Sequence, residues 1–220
     1  VANYLKKQEP DSQIWFFGGT GNIEETLVQR AGYPIYTFPL QVLSRSKSLG
    51  GMVKNAKALM DTWKAIQGCK KIIRELKPDI VMGTGGYASF PALYAAQSMG
   101  IPTCVHEANA MPGLTTRLIA NRADRVLTCF PESAKHYKHP ERAEAVGMPV
   151  RREFIYTEKT KARQELSLDE RPVIVSAFGS QGAMVMNQII ADLMVLEKAA
   201  DYPFQHIHTT GSYGWEWMPK

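Results

Sequence analysis

Short apolar runs rich in β-branched and aromatic residues recur along the chain: QIWFF (13–17), YPIYTF (33–38), DIVM (79–82), IPTCV (101–105), DRVLTC (124–129), AEAV (143–146), PVIVSA (172–177) and FQHIH (204–208). Each reads as a buried strand. The stretches between them carry helical spacing at 23–30, 52–76, 91–98, 114–120, 159–166 and 183–198. Strand and helix in strict alternation predict parallel sheets with right-handed crossovers, the doubly wound α/β class. Residues 80–105 contain no charge and are long enough for a membrane span. However, the stretch includes GTGGY, two prolines and several polar side chains, which fit two buried strands flanking a glycine turn and a helix.

The alternation pauses at VGMPVRREF (146–154), where Gly147 and Pro149 interrupt the pattern and Arg151 and Arg152 bring charge. This predicts a boundary between residues 1–148 and 149–220, the second part holding too few strands to close a doubly wound sheet. The opening VANYLKKQEP reads as the tail of an amphipathic helix, so the chain is expected to start inside an element and to end inside its second domain.

With 220 residues, 45% of them apolar and 21% charged, the composition excludes disordered, collagen-like and coiled-coil chains. Cys69, Cys104 and Cys129 form no C-x-x-C pair and are odd in number, which suggests neither a disulfide framework nor a zinc site, and a reducing compartment. No metal or other cofactor is expected. The net charge of +5 and a pI near 9.1 admit an anionic partner without choosing one.

Four loops following strands carry the candidate chemistry, at the strand ends where open α/β sheets bind ligands. In VMGTGGYASFPAL (81–93), Gly83, Gly85 and Ala88 fit the dinucleotide pattern G-x-G-x-x-A, with Glu107 near the expected spacing. Against a nicotinamide site, the loop follows a late strand and Pro91 falls where the first helical residue belongs. Both readings share a tight turn that brings backbone N–H groups of a helix N-terminus to a ligand; a turn needed only for packing is the alternative. CVHEANAMPGLTTR (104–117) clusters His106, Glu107 and Asn109 after a strand, although His106 taken alone is as readily a structural histidine. SAFGSQGAMVMNQ (176–188) lacks the lysine of a P-loop but offers Ser180, Gln181 and Gly182 as a phosphate cradle. In FFGGTGNIEE (16–25), Thr20 or Asn22 could cap a helix whose Glu24 and Glu25 would repel phosphate, so a structural role leads there.

GTGGYASFPAL, then GIP, HEANAMPGLTTRLIA, VGMPVRREF and a strand with GSQGA, in this order and spacing, resemble the MurG family of UDP-N-acetylglucosamine:lipid I N-acetylglucosaminyltransferases. The resemblance spans essentially the whole chain. It implies a GT-B fold of two Rossmann-like domains, and an inverting transfer of N-acetylglucosamine from UDP-N-acetylglucosamine to the lipid I acceptor, giving lipid II at the cytoplasmic face of the bacterial membrane. By motif it implies that Asn109, Arg151 and Ser180, with Gln181 and Gly182, contact the donor, that Gly85, Gly86 and Tyr87 form a second glycine-rich loop, and that His106 and Glu107 line the cleft. The family's opening GGTGGH-type loop, whose His is a candidate base, has no counterpart here; Gly19, Thr20 and Glu24 instead fit a later G-T…E pattern. Ala108 stands where Gln is common. Without that base the chain alone is expected to be inactive, and a non-catalytic, membrane-docked acceptor-binding subunit of a split transferase is the alternative.

Arg45 to Lys77 holds nine basic residues against two acidic ones, a local +7 that leaves the rest of the chain at −2. Met52, Ala56, Leu59, Met60, Trp63 and Ile66 fall on one helical face of this segment. The face reads either as a core-packing stripe or as a peripheral contact with anionic headgroups. No nucleic-acid recognition signature is present.

Overall fold

A computed structural model describes residues 1–41, 48–179 and 182–218, the side chains of Leu49 and Tyr213 apart. It divides into two compact units, Val1–Pro149 and Val150–Lys220. The first holds α1 (Ala2–Gln8), β1 (Phe16–Gly19), α2 (Ile23–Arg30), β2 (Ile35–Phe38), α3 (Leu49–Leu76), β3 (Val81–Gly83), α4 (Gly86–Ser98), β4 (Thr103–Glu107), α5 (Leu114–Ala120), β5 (Arg125–Thr128) and β6 (Ala143–Ala145). The second holds α6 (Glu153–Tyr156), α7 (Lys159–Glu165), β7 (Val173–Ala177), α8 (Met184–Ala199), β8 (Gln205–Thr209) and α9 (Gly211–Gly214). The last turn falls in a segment with no readable period.

Among the described residues every strand pair is parallel: β1 with β2, β3 through β6 in sequential order, and β7 with β8. The eight strands among the described residues overlap the runs that predicted them. In the first unit α4 packs against both β1 and β3, while the described strands β1 and β3 do not pair with each other.

The absence of charge around α4 follows from its place between two apolar clusters. Leu93 turns to the sheet and packs with Val105, Ile119, Val126 and Tyr137. On its other side Ala92, Ala95 and Ala96 admit α3 closely, against Ile66, Cys69 and Ile73. Burying each large side chain contributes roughly 1.5–3 kcal/mol. No helix among the described residues is long and apolar enough to cross a membrane.

Two expectations change. Pro91 lies inside α4, five residues past its start, because the helix begins at Gly86 on the glycine turn. The inward face of α3 is Ala58, Ala65, Ile66, Cys69 and Ile73, whereas Met52, Leu59, Met60 and Trp63 stand between 52% and 62% exposed. Of the stripe read from the sequence, Ile66 belongs to the core and the large residues preceding it do not. Arg45 and Lys47 lie outside the described residues.

Candidate functional site

The ends of β3 and β4 meet over one carboxylate. Glu107 is 3% exposed; its Oε1 accepts from the Asn109 backbone N–H at 3.0 Å and from Asn109 Nδ2 at 2.8 Å. Its Oε2 accepts from the Gly113 N–H at 3.4 Å, and the Thr116 hydroxyl donates to the same carboxylate. Burial alone would raise its pKa, but these donors outweigh it and hold the group below the usual carboxylate range. Ser133, fully buried, reaches the Asn109 and Ala110 carbonyls at 3.2 and 2.9 Å and fixes the loop from beneath.

The glycine turn rests on this platform. Gly85 has φ +76°, and a Cβ there would crowd the His106 carbonyl and Thr116 Oγ1, each at 3.3 Å. Gly86 has φ +74° and open space on the side where a Cβ would point. No side chain caps the N-terminus of α4, so its first N–H groups and the positive end of its dipole meet the open side of the turn. Tyr87 reaches the neighbouring β1 loop, its hydroxyl accepting from Asn22 Nδ2 at 3.3 Å.

His106, 5% exposed, is turned away from the turn; its Nε2 lies 3.0 Å from the Gly147 carbonyl. The FFGGTGNIEE loop is satisfied from within. Glu24 accepts the Gly19 N–H and Glu25 the Gly21 N–H, at 3.2 and 2.8 Å. Asn22 is the N-cap residue of α2, yet its side chain makes no cap bond and donates to Glu24 and Tyr87 instead. Burial raises the Glu24 pKa, and hydrogen bonds from its own backbone, Asn22 and Gly19 lower it further than that. These carboxylates occupy N–H groups that a phosphate would need.

Gly85, Gly86, Tyr87, His106, Glu107 and Asn109 are thus brought together in the first unit. In the second, Arg151 extends its guanidinium over the Phe154 ring at 5.9 Å. Gly182 has φ +75° and faces the Thr210 carbonyl so closely that a Cβ would overlap it. Ser180 and Gln181 lie outside the described residues.

The sequence reading missed a buried polar chain behind the Gly182 turn. Asn187 Nδ2 donates to the Thr210 carbonyl at 2.8 Å, so its Oδ1 accepts from His208 Nε2 at 3.1 Å. His208 Nδ1 lies 2.7 Å from the Ser176 hydroxyl and 3.2 Å from the Ser176 carbonyl, and Ser176 Oγ lies 2.8 Å from His206 Nε2. His206 Nδ1 and Glu197 Oε1 lie 2.7 Å apart, with side chains 3% and 5% exposed. The missed signal was H-x-H in β8, which places both histidines on one face, with His208 in register with Ser176. Among the described residues no group of acidic, His and Cys side chains could hold a metal ion.

The glycosyltransferase family 28 N-terminal domain matches residues 1–128. The chain belongs to glycosyltransferase family 28. It is 34% identical, over its whole length, to 58% of the UDP-N-acetylglucosamine--N-acetylmuramyl-(pentapeptide) pyrophosphoryl-undecaprenol N-acetylglucosamine transferase of Acetivibrio thermocellus. It is 38% identical, over 84% of the chain, to 53% of the transferase of the same name from Rubrobacter xylanophilus. This family 28 chain therefore spans little more than half the length of such relatives. In fold it is similar to MurG of Acinetobacter baumannii, with TM-score 0.62 at 24% identity, covering 97% of this chain and 56% of that one. A putative UDP-N-acetylglucosamine 2-epimerase from Listeria monocytogenes shares the fold at TM-score 0.58 and 14% identity, covering 92% and 56%. The α/β architecture of parallel, Rossmann-like layers is thus that of GT-B glycosyltransferases.

Proposed function

We propose that this chain is the acceptor-side domain, with the beginning of the donor-side domain, of an inverting transferase that moves N-acetylglucosamine from UDP-N-acetylglucosamine to lipid I, forming lipid II. The observation that carries the reading is the uncapped N-terminus of α4 over the Glu107–Asn109 platform, in a chain 34% identical along its full length to a transferase so named. A departing diphosphate needs N–H donors or cations, and the acceptor hydroxyl needs a base on the opposite side of the anomeric carbon. Arg151 with Ser180, Gln181 and Gly182 supply the former in this reading, and Gly85, Gly86, Tyr87 and Asn109 shape the ligand side of the first unit.

His106 and Glu107 act as positioning residues, since Nε2 of the first is bonded to the Gly147 carbonyl and both oxygens of the second are taken up by the loop's own donors. The same occupancy opposes a nicotinamide site, which would require the Glu107 carboxylate to be open to a ribose. With neither residue placed as a base, the 220-residue chain alone is expected not to turn over.

The exposed Met52, Leu59, Met60 and Trp63, with Lys57 and Lys64 beside them, form in this proposal a peripheral contact with anionic headgroups at the cytoplasmic membrane face, where the acceptor lipid resides. These side chains stand outside the core that the other face of the helix joins. The test is transfer of radiolabelled N-acetylglucosamine from the UDP-sugar to lipid I in vesicles by the full-length gene product. Transfer supports the reading. Donor binding without transfer would favour an accessory binding subunit, and nicotinamide binding without UDP binding would end both.

A further inference from the structure

The buried polar chain of the second unit runs from a backbone carbonyl to a carboxylate. Asn187, fully buried, donates from Nδ2 to the Thr210 carbonyl, so its Oδ1 faces His208 Nε2 and that nitrogen must carry hydrogen. Ser176 Oγ stands 2.7 Å from His208 Nδ1 and 2.8 Å from His206 Nε2, and its single hydrogen serves only one of them. Whichever it serves, the other imidazole must donate to the oxygen. The Ser176 carbonyl, 3.2 Å from His208 Nδ1, can only accept and supplies no hydrogen. The last link, His206 Nδ1 to Glu197 Oε1, needs one hydrogen from either side. A closed chain therefore requires three hydrogens on His206, His208 and Glu197, whichever tautomers are drawn. Two neutral imidazoles and a carboxylate carry two.

The third hydrogen also settles the charge. With it the three groups sum to zero, as an imidazolium beside a carboxylate or as three neutral groups. Without it one link is empty, and a net negative charge sits where the side chains of His206 and Glu197 are almost wholly buried. Such a charge is strongly unfavourable unless a cation offsets it. Of the other charged and titratable groups lining this region, Arg171 is committed to Asp169 at 2.6 Å and to the Tyr202 carbonyl at 2.8 Å. Lys198 on α8 and Tyr202 in the turn before β8 stand exposed to solvent. The segment after α9 brings only Trp215 and Met218 to this region.

We propose that the second unit folds around one buried proton shared along Glu197, His206, Ser176 and His208, and that this proton is a pH-sensitive lock on the Gly182 turn. The lock acts through Asn187. His208 holds its Oδ1, while its Nδ2 fills the corner between the Thr210 carbonyl and Gly182, where a Cβ on Gly182 would stand 3.2 Å from it. Losing the proton empties one link between this amide and Glu197, and the charge left behind favours opening of the chain toward water. Unfolded, the carboxyl ionises near pH 4.3 and each imidazole near 6.5, so at about pH 6.5 the unfolded groups hold three hydrogens on average and above it they approach two. Stability from the chain is therefore greatest near that pH and is lost as pH rises, approaching about tenfold in the folding equilibrium per pH unit for one proton. The inference rests on the geometry of the second unit alone and holds for any ligand of the Gly182 turn.

The test follows amide hydrogen exchange of β7, β8 and Gly182 in the 220-residue chain between about pH 7 and 8, corrected for the intrinsic exchange rate. Protection is expected to fall close to tenfold over that unit in the wild-type chain. Glu197→Gln offers an NH2 that donates to His206 Nδ1, which closes the chain with two neutral imidazoles, so the variant should fold and show no such fall. Wild-type protection that does not change with pH, or the same fall in E197Q, would overturn the proposal. Independently of any variant, the imidazole 15N shifts of His206 and His208 and the carboxyl 13C shift of Glu197 at pH 7 count the hydrogens on the three groups. Three are expected, and two would overturn the proposal.

Discussion

Replacing Glu107 by glutamine tests whether one carboxylate organises the ligand side of the first unit. The wild-type group accepts from four donors: Asn109 N–H and Nδ2 on Oε1, Gly113 N–H on Oε2, and the Thr116 hydroxyl. A carboxamide oxygen can serve only one side. It will keep the two short bonds to Asn109, at 3.0 and 2.8 Å, and turn its NH2 toward Gly113 and Thr116. The Thr116 hydroxyl can rotate to accept, which leaves the Gly113 N–H, already the longest contact at 3.4 Å, stranded. A stranded buried donor costs about 1–3 kcal/mol and the charge assistance of the surviving bonds is lost as well, so E107Q should destabilise the first unit by about 2–3 kcal/mol. Glu107→Ala, which abandons all four donors, should cost more. Because the folded carboxyl titrates below its unfolded value of about 4.3, its contribution is present above that pH and is lost as pH falls through the folded value. The wild-type chain should therefore show an acid loss of stability that E107Q lacks. Amide exchange of β4 in rising urea, at neutral and acid pH, measures both. A neutral-pH difference under about 0.5 kcal/mol, or the same acid step in E107Q, would refute the assignment.

Other consequences concern single positions. Gly182→Ala should destabilise the second unit far more than Gly86→Ala destabilises the first, because its Cβ overlaps the Thr210 carbonyl while Gly86 has open space; Gly86→Ala pays only left-handed strain of about 1–2 kcal/mol, as urea unfolding of each variant would show. Glu197→Leu leaves the buried His206 without its partner and should cost the second unit about 3–5 kcal/mol in the same measurement. Trp63→Ser should leave folding intact, since the side chain is 61% exposed, and should weaken sedimentation with phosphatidylglycerol vesicles by about tenfold or more; unchanged binding would remove this face from the membrane contact.

The strands were readable because parallel strands buried on both faces concentrate apolar residues in runs too short for helices. The start of α4 was not, since Pro91 suggests a first helical position. A proline in the second turn gives up one backbone bond, and the helix tolerates this among well-packed neighbours. The period of α3 identified a helix without telling which face is inside. That choice depends on α4, whose alanines admit the smaller Ala58, Ala65 and Cys69 and leave Met52 and Trp63 outside. His106, Glu107 and Asn109 were visible as a cluster after a strand, but their opposite orientations depend on Gly147 and Gly113, six and more residues away. The Ser176–His206–His208 chain needs the register of β7 on β8, which no local pattern carries.

The proposed roles of both units require that the full-length protein transfer N-acetylglucosamine to a lipid-linked acceptor. The most direct measurement incubates the full-length gene product with UDP-N-acetylglucosamine, labelled in the sugar, and lipid I in anionic vesicles, and follows both the lipid and the nucleotide sugar. Label is expected in lipid II, with unaltered stereochemistry in the remaining UDP-N-acetylglucosamine. Label confined to the nucleotide sugar and epimerised at C2, the reaction named for the structurally similar epimerases, would contradict it.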